Sequence, residues 1–495
     1  MRSHAWTASP LPGGRTPPQH CGLYIVSGSV DKFEFRHFWW MIRTFCAESS
    51  WRIYYCGMLL SLTLENYRSF RDRAVLDLQK RSFRTLLPRD GDWVAETQRQ
   101  AAIIGPNAAG KSNILRAVSV ISAAVRHSLR DKNVKFLYDP FATTTDKPTY
   151  FRAEYAFKGV RYEWECSVSG SGIQNETLRA VDRGRWKLIF SRSAGEIEFG
   201  SNSQIPASAR ENIEQFLLPW TLTLSAWGGV KSRGPYYPAA EWWTDLVMTI
   251  LPMDMDRANR HRWLISVIAD DPRWFEMSHV ALRAADLGIS SLNVNEQEIP
   301  PEVRSILKKI EEATSKSDRV EAVPSSDVEE LIRELEFVHD FEGEEVRFSE
   351  ADESAGTRNW LDLVVPAMYC LTKGGVLLVD ELDSSLHPDL VRLLIELFSD
   401  TNVNLRGAQI VYTTHDMTLL GNHPTPVVLP SETWLVEKFC GASELVALDE
   451  YDIRSSNNVE RRYLQGVYNA KPFVSPEPLA ALIRKLVTSQ GEADV

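Results

Sequence analysis

The chain has 495 residues, enough for about two to four domains and a large buried core. Its 44% hydrophobic and 24% charged residues are those of a globular protein. The 55 Lys and Arg against 66 Asp and Glu leave a formal charge of −11, which excludes a surface coated in nucleic-acid-binding charge but not a local basic groove. The cysteines, at 21, 46, 56, 166, 370 and 440, show no C-x-x-C spacing and point to reduced thiols rather than a zinc site or a disulfide framework. No apolar run of membrane-spanning length and no signal-peptide core occurs, so a soluble, cytoplasmic protein is expected, with no membrane partner.

Residues 1–57 carry Trp6, Trp39, Trp40 and Trp51 without a helical or strand period. They are read as an extension, either an over-extended reading frame with the true start at Met58 or a small partner-binding segment. From Met58 the pattern changes: Leu60, Leu62 and Leu64 alternate as in a half-buried strand, and a second strand is expected around Val75–Leu78.

Gly105-Pro106-Asn107-Ala108-Ala109-Gly110-Lys111-Ser112 fits the phosphate-binding loop G-x-x-x-x-G-K-[ST]. The apolar run Ala101–Ile104 leads in as a buried strand, and Asn113–Val118 opens a helix. Gly105 and Gly110 let successive N–H groups turn toward phosphate oxygens at a helix N-terminus. Asn107 lies within the loop; Lys111 is expected to reach the β- and γ-phosphates of ATP, and Ser112 to offer its hydroxyl to Mg²⁺.

Ile114, Val118, Ile121 and Val125 mark the core face of the following helix. The alternating segments 150–157, 161–168 and 186–190 read as a β-meander. From 201 to 345 the pattern becomes helical and aromatic, with Trp242, Trp243, Trp263 and Trp274 expected in the core and exposed linker at 314–319 and 324–326.

Glu353-Ser354-Ala355-Gly356-Thr357-Arg358 is a small-residue turn opening a helix over 359–371, a second phosphate-binding helix start that singles out Ser354 and Gly356. Gly375–Val379 is an apolar strand ending in Asp380 and Glu381, the form of a Walker B element. There Asp380 is expected to hold Mg²⁺ through its hydration shell, and Glu381 is placed to orient or deprotonate the attacking water. Leu382-Asp383-Ser384-Ser385-Leu386-His387-Pro388 leads into a helix over 389–398. A further strand, 408–414, ends at His415, which is placed to hydrogen-bond a γ-phosphate.

The order of P-loop, signature turn, Walker B, Asp383 loop and switch histidine resembles the ATP-binding-cassette ATPases, including the chromosome-maintenance and recombination-repair types. It resembles further the AAA-annotated ATPases of the RloA/AbiL and overcoming-lysogenisation-defect (OLD) type. The resemblance is carried by residues 60–70, 353–358, 380–388 and Tyr463-Leu464-Gln465-Gly466. The chain departs from that pattern with Ala355, often Asp, and with Val467-Tyr468-Asn469, commonly Arg-Tyr-Gly. Only about 20 residues follow Val474, so a Toprim nuclease domain of the OLD kind is not expected within the chain. Gln174 is the one candidate for a Q-loop glutamine.

The resemblance implies an α/β P-loop NTPase with an ABC-ATPase-like head, a mixed nucleotide-binding sheet plus β-meander, and a largely helical insert. The expected divisions are 1–57 extension, 58–200 N-terminal half of the ATPase domain, 201–345 insert, 346–475 C-terminal half, and 476–495 tail. It also implies a homodimer or higher oligomer in which Ser354 and Gly356 of one protomer cap the ATP held by Lys111 and Ser112 of its partner. The function expected is an ATPase switch in phage defence controlling a separate effector, a nuclease or toxin, with a phage trigger or DNA as further partners. The alternative is a DNA-binding ATPase of recombination or repair, of the SMC/RecF-like kind.

Overall fold

The computed structural model describes residues 57–131, 134–252, 254–285, 288–298, 331–421, 426–453, 458–468 and 475–491. The readings of residues 1–56 and of the linker over 314–326 lie outside the described residues. The strands in chain order are β1 Met58–Glu65, β2 Ala74–Asp77, β3 Gln100–Ile104, β4 Thr149–Phe157, β5 Val160–Ser169, β6 Gly172–Asp182, β7 Arg185–Ser193, β8 Glu196–Phe199, β9 Val247–Ile250, β10 Ile289–Glu298, β11 Leu331–Phe341, β12 Glu344–Ser349, β13 Val376–Val379, β14 Gln409–Thr414, β15 Thr433–Phe439 and β16 Ala442–Ala447.

They form three sheets. A six-stranded sheet has the order β16-β15-β3-β14-β13-β9, parallel except for β16. Its central strands are buried on both faces, as parallel strands covered by helices must be. Their residues divide by parity between two cores: Ala101, Ile103, Val376, Leu378 and Val411 face one, and Ala102, Ile104, Leu377, Val379, Ile410 and Tyr412 the other. The first core is completed by the helix Lys111–His127 and by a seven-stranded antiparallel sheet, β2-β1-β4-β5-β6-β7-β8. The second is completed by the helices Ala355–Lys373 and Pro388–Ser399. A buried glutamine ties two sheets together: Gln409 Oε1 accepts from Leu59 N at 2.7 Å, and its Nε2 donates to Leu59 O and Gln98 O.

The stretch 201–345 holds the helices Ala207–Phe216, Thr223–Gly228, Pro238–Asp245, Asp254–Asp270 and Pro272–Ala284. Strands also arise there, which the sequence pattern does not bring out. β9 pairs in parallel with β13 as the edge of the six-stranded sheet, and β10 and β11 form a three-stranded antiparallel sheet with β12, which runs past the end of the stretch. A four-residue run such as Val247–Ile250 carries no period that separates strand from helix; only its pairing partner decides. Trp242 and Trp243 are core residues, fully buried, with Trp242 stacked on Tyr155 at a centroid separation of 4.5 Å. Among the described residues no helix is long and apolar enough to cross a membrane.

Candidate nucleotide site

The sheet order places the site. β3, β14 and β13 are adjacent and parallel, so the loops leaving their carboxyl ends lie side by side, where open α/β sheets bind ligands. β3 delivers the P-loop, β13 delivers Asp380 and Glu381, and β14 delivers His415. A cleft of about 540 Å³ between them is lined by Asn107, Gly110, Lys111, Ser112, Glu381, Asp383 and His415, among others.

The loop's glycines are used for close approach. A Cβ on Gly105 would collide with Val436 O, and one on Gly110, at φ 113°, with Ser69 Oγ and Ser443 Oγ. The loop is therefore clamped from outside. Ser443 Oγ donates to Ala109 O, Asn113 Nδ2 donates to Ser69 Oγ at 2.8 Å, and Ser443 N donates to Ser69 O at 2.8 Å. Lys111 is largely buried, and its Nζ donates to Gly105 O and Pro106 O at 2.9 and 3.1 Å. Burial holds its pKa below the ordinary lysine value, opposed by the nearby charges of Asp380, Glu381 and Asp383. A cation coiled over a glycine loop at a helix N-terminus is a site for an anion.

Two hydroxyls meet one carboxylate oxygen: Ser112 Oγ donates to Asp380 Oδ1 at 2.9 Å, and Thr413 Oγ1 donates to the same atom at 2.6 Å. Thr413 Oγ1 in turn accepts from Glu381 N at 2.7 Å. Glu381 sits in the left-handed region, φ 53°, where a non-glycine residue is strained, and its side chain is exposed into the cleft. Asp383 accepts from His415 N, which fixes the end of β14 against the loop after β13. Ser112 and Asp380 present hard oxygens suited to Mg²⁺, an ion that binds few protein ligands and keeps waters and phosphate oxygens as the rest. Among the described residues there is no group of three or more His, Cys, Asp and Glu that could hold a metal ion.

Ser354 and Gly356 do not line this cleft. Ser354 caps the helix Ala355–Lys373, its Oγ accepting from Thr357 N at 3.0 Å, and it is exposed. Gly356 packs toward Ser385 O of the loop after β13. Gln174 is not at the site either. It lies on β6, where Nε2 donates to Ser169 Oγ and Ser171 Oγ in a hairpin, and no glutamine is among the residues lining the cleft. Thr413, Ser69 and Ser443 are participants that motif reading misses. Thr413 had a signal in its place one strand over from Walker B, whereas Ser69 and Ser443 become neighbours only through the fold.

Thr413→Val is the check on that threonine. It keeps shape but leaves Glu381 N and one lone pair of buried Asp380 unmet, so it is expected to lower stability by about 1–3 kcal/mol, read as a fall in Tm. An unchanged Tm with normal turnover would remove Thr413 from the site.

The model of the family described as "AAA domain, putative AbiEii toxin, Type IV TA system" matches residues 101–421. The chain belongs to this family. The match runs from β3 past His415, so the P-loop, signature turn and Walker B residues all fall inside the AAA domain. Comparison with curated proteins yields no match. Among solved structures the AAA chain is similar to the SMC head domain from Thermotoga maritima, with 13% identity and a TM-score of 0.35 over 79% of this chain and 98% of that one. It is also similar to an SMC head bound to the C-terminal winged-helix domain of ScpA, with 14% identity and a TM-score of 0.38 over 78% and 96%. A third is the Smc head from Pyrococcus furiosus bound to the C-terminal domain of ScpA, with 13% identity and a TM-score of 0.36 over 83% and 99%.

Proposed function

We propose that this protein is an ATP-binding and ATP-hydrolysing switch whose sites are completed across a dimer, and that it serves as the ATPase subunit of a phage-defence system controlling a separate effector. The observation that carries the reading is the split of the motif residues. Lys111, Ser112, Glu381 and His415 line one cleft, with Asp380 bonded to Ser112 beneath it, while Ser354 stands exposed outside it with its own helix N-terminus turned to solvent. The toxin–antitoxin description of the family supports a role exercised through a partner.

In this reading the P-loop N–H groups and Lys111 hold the β- and γ-phosphates, and Ser112 and Asp380 would hold a Mg²⁺ ion, which would supply charge neutralisation to the transferring phosphoryl group. Glu381 accepts a proton from, or orients, the attacking water, and His415 donates to the γ-phosphate. Ser354 and Gly356 of the partner close the far side. Loss of the γ-phosphate removes the contacts that hold two protomers together, so hydrolysis relaxes the dimer.

Two inactive variants test the architecture. Lys111→Ala and Ser354→Arg homodimers are each expected to be inactive, the first for want of phosphate binding and the second because a bulky cation blocks both signature turns. A mixed dimer contains one site with an intact P-loop and an intact signature, so mixing is expected to restore ATP-driven closure. Mixed dimers that form, shown by tag co-capture, yet never close with ATP would sink the composite site.

A further inference from the structure

The signature turn is held from behind by two histidines that the nucleotide cleft does not use. His339, on β11, has Nε2 donating to Glu353 Oε1 at 2.6 Å, and the Glu353 side chain is only 7% exposed. The ring packs edge-on against Phe348 of β12 at 5.1 Å, which restricts its rotamer. Glu353 is the residue immediately before Ser354.

His261, on the helix Asp254–Asp270, makes the second hold. Its Nε2 lies 2.8 Å from Glu350 Oε2 and its Nδ1 lies 3.2 Å from Asp362 Oδ1. Both partners are carboxylates, so both ring nitrogens donate and the ring is an imidazolium. Its pKa is raised to about 9, chiefly by the hydrogen bond to Asp362 and next by that to Glu350. From the same helix Arg257 reaches Asp362 at 3.5 Å and Asn359 Oδ1 at 3.2 Å. Asp362 is 9% exposed, so its charge needs these partners. Glu350 precedes the signature turn and Asp362 lies in the helix it opens; the two histidines thus grip the turn on both sides.

Neither histidine, nor Glu350, Glu353 or Asp362, lines the P-loop cleft. In front of the turn Ser354 is exposed and bonded only within its own helix cap among the described residues, so its orientation is set from behind. We propose that His261 and His339 are positioning residues that fix Ser354 and Gly356 in the attitude needed to meet nucleotide held by the partner protomer. Closure then depends on the helix Asp254–Asp270 and on the β10–β12 sheet. This rests on the composite-site reading above.

The test separates nucleotide binding from closure in the full chain. His261→Gln and His339→Gln are expected to bind Mg-ATP within about twofold of wild type by calorimetry at low protein concentration, yet to weaken ATP-dependent dimerisation about ten- to hundredfold, the worth of one charge-assisted hydrogen bond. Combining His339→Gln with Glu353→Gln is expected to be no worse than either alone, the mark of a coupled pair. His261→Arg, which keeps a cation facing Asp362 and Glu350, is expected to recover closure. The pH dependence has a fixed sign. A folded pKa raised from 6.5 to about 9 gives a contribution to the fold that is full below the lower value and lost as pH rises through the upper, so the hold on Glu350 and Asp362 weakens near pH 9 and wild-type closure is expected to fade with it. In His261→Arg that fading is absent.

Histidine variants that melt like wild type and dimerise like it overturn the proposal. So does a loss of ATP affinity as large as the loss of dimerisation, which marks general damage. Should a histidine variant fail to fold, Glu353→Gln carries the test, and wild-type closure in it counts against the proposal. A wild-type chain that never dimerises with ATP defeats the composite-site reading instead, a result seen without any substitution.

Discussion

Lys111→Ala is expected to remove measurable ATP binding. The lysine brings one buried cation into a cleft that also holds the carboxylates of Glu381 and Asp383, with Asp380 close by, so removing it takes away a cation that offsets this like charge against the phosphates. Its Nζ donates to Gly105 O and Pro106 O. Both acceptors are neutral carbonyl oxygens, and a polyphosphate would offer the ammonium anionic oxygens in their place, where both partners carry charge. The expected loss of affinity is about a hundredfold or more. Fold should survive, because the loop is also clamped by Ser69, Ser443 and Asn113. Calorimetry decides it: a dissociation constant equal to that of the wild type would end the assignment of the P-loop.

Glu381→Gln separates binding from chemistry. Glutamine keeps the shape, and the backbone N–H still reaches Thr413 Oγ1. ATP is therefore expected to bind normally while turnover drops by about two orders of magnitude or more, as when a general base is removed. The closed dimer should accumulate, visible as an ATP-dependent doubling of mass. The strained backbone at Glu381 supports this assignment over Asp383, since strain of this kind is kept where a side chain must be aimed. Near-normal phosphate release would instead transfer the role to another group at the cleft.

Much of the site was legible before any fold was known, for a local reason. A phosphate loop is built from consecutive residues, and the runs around it, such as Ala101–Ile104 and Gly375–Val379, are short and fully apolar because both faces of a central parallel strand are covered. The helix over 111–127 shows its core face at the spacing of Ile114, Val118, Ile121 and Val125, and all four are buried. Where local pattern and pairing part company, reading fails. β9 is four residues long and exists as a strand because β13 lies beside it. β6 carries no continuous apolar rhythm, because Gln174, Asn175 and Glu176 interrupt it, and it is its neighbours β5 and β7 that hold it in the sheet.

Residue identity alone thus carries the parts of the proposed site: glycine turns for phosphate, one lysine, a hydroxyl beside a carboxylate, and a second carboxylate on the next residue. What required three dimensions is the assembly of parts far apart in sequence. Ser69 and Ser443 clamp Gly110, Thr413 joins Asp380 to Glu381, and His261 and His339 hold Glu350, Glu353 and Asp362 behind the signature turn. Motifs carry spacing along the chain, whereas these contacts depend on strand order and helix packing, which are settled by burial shared among all the elements at once.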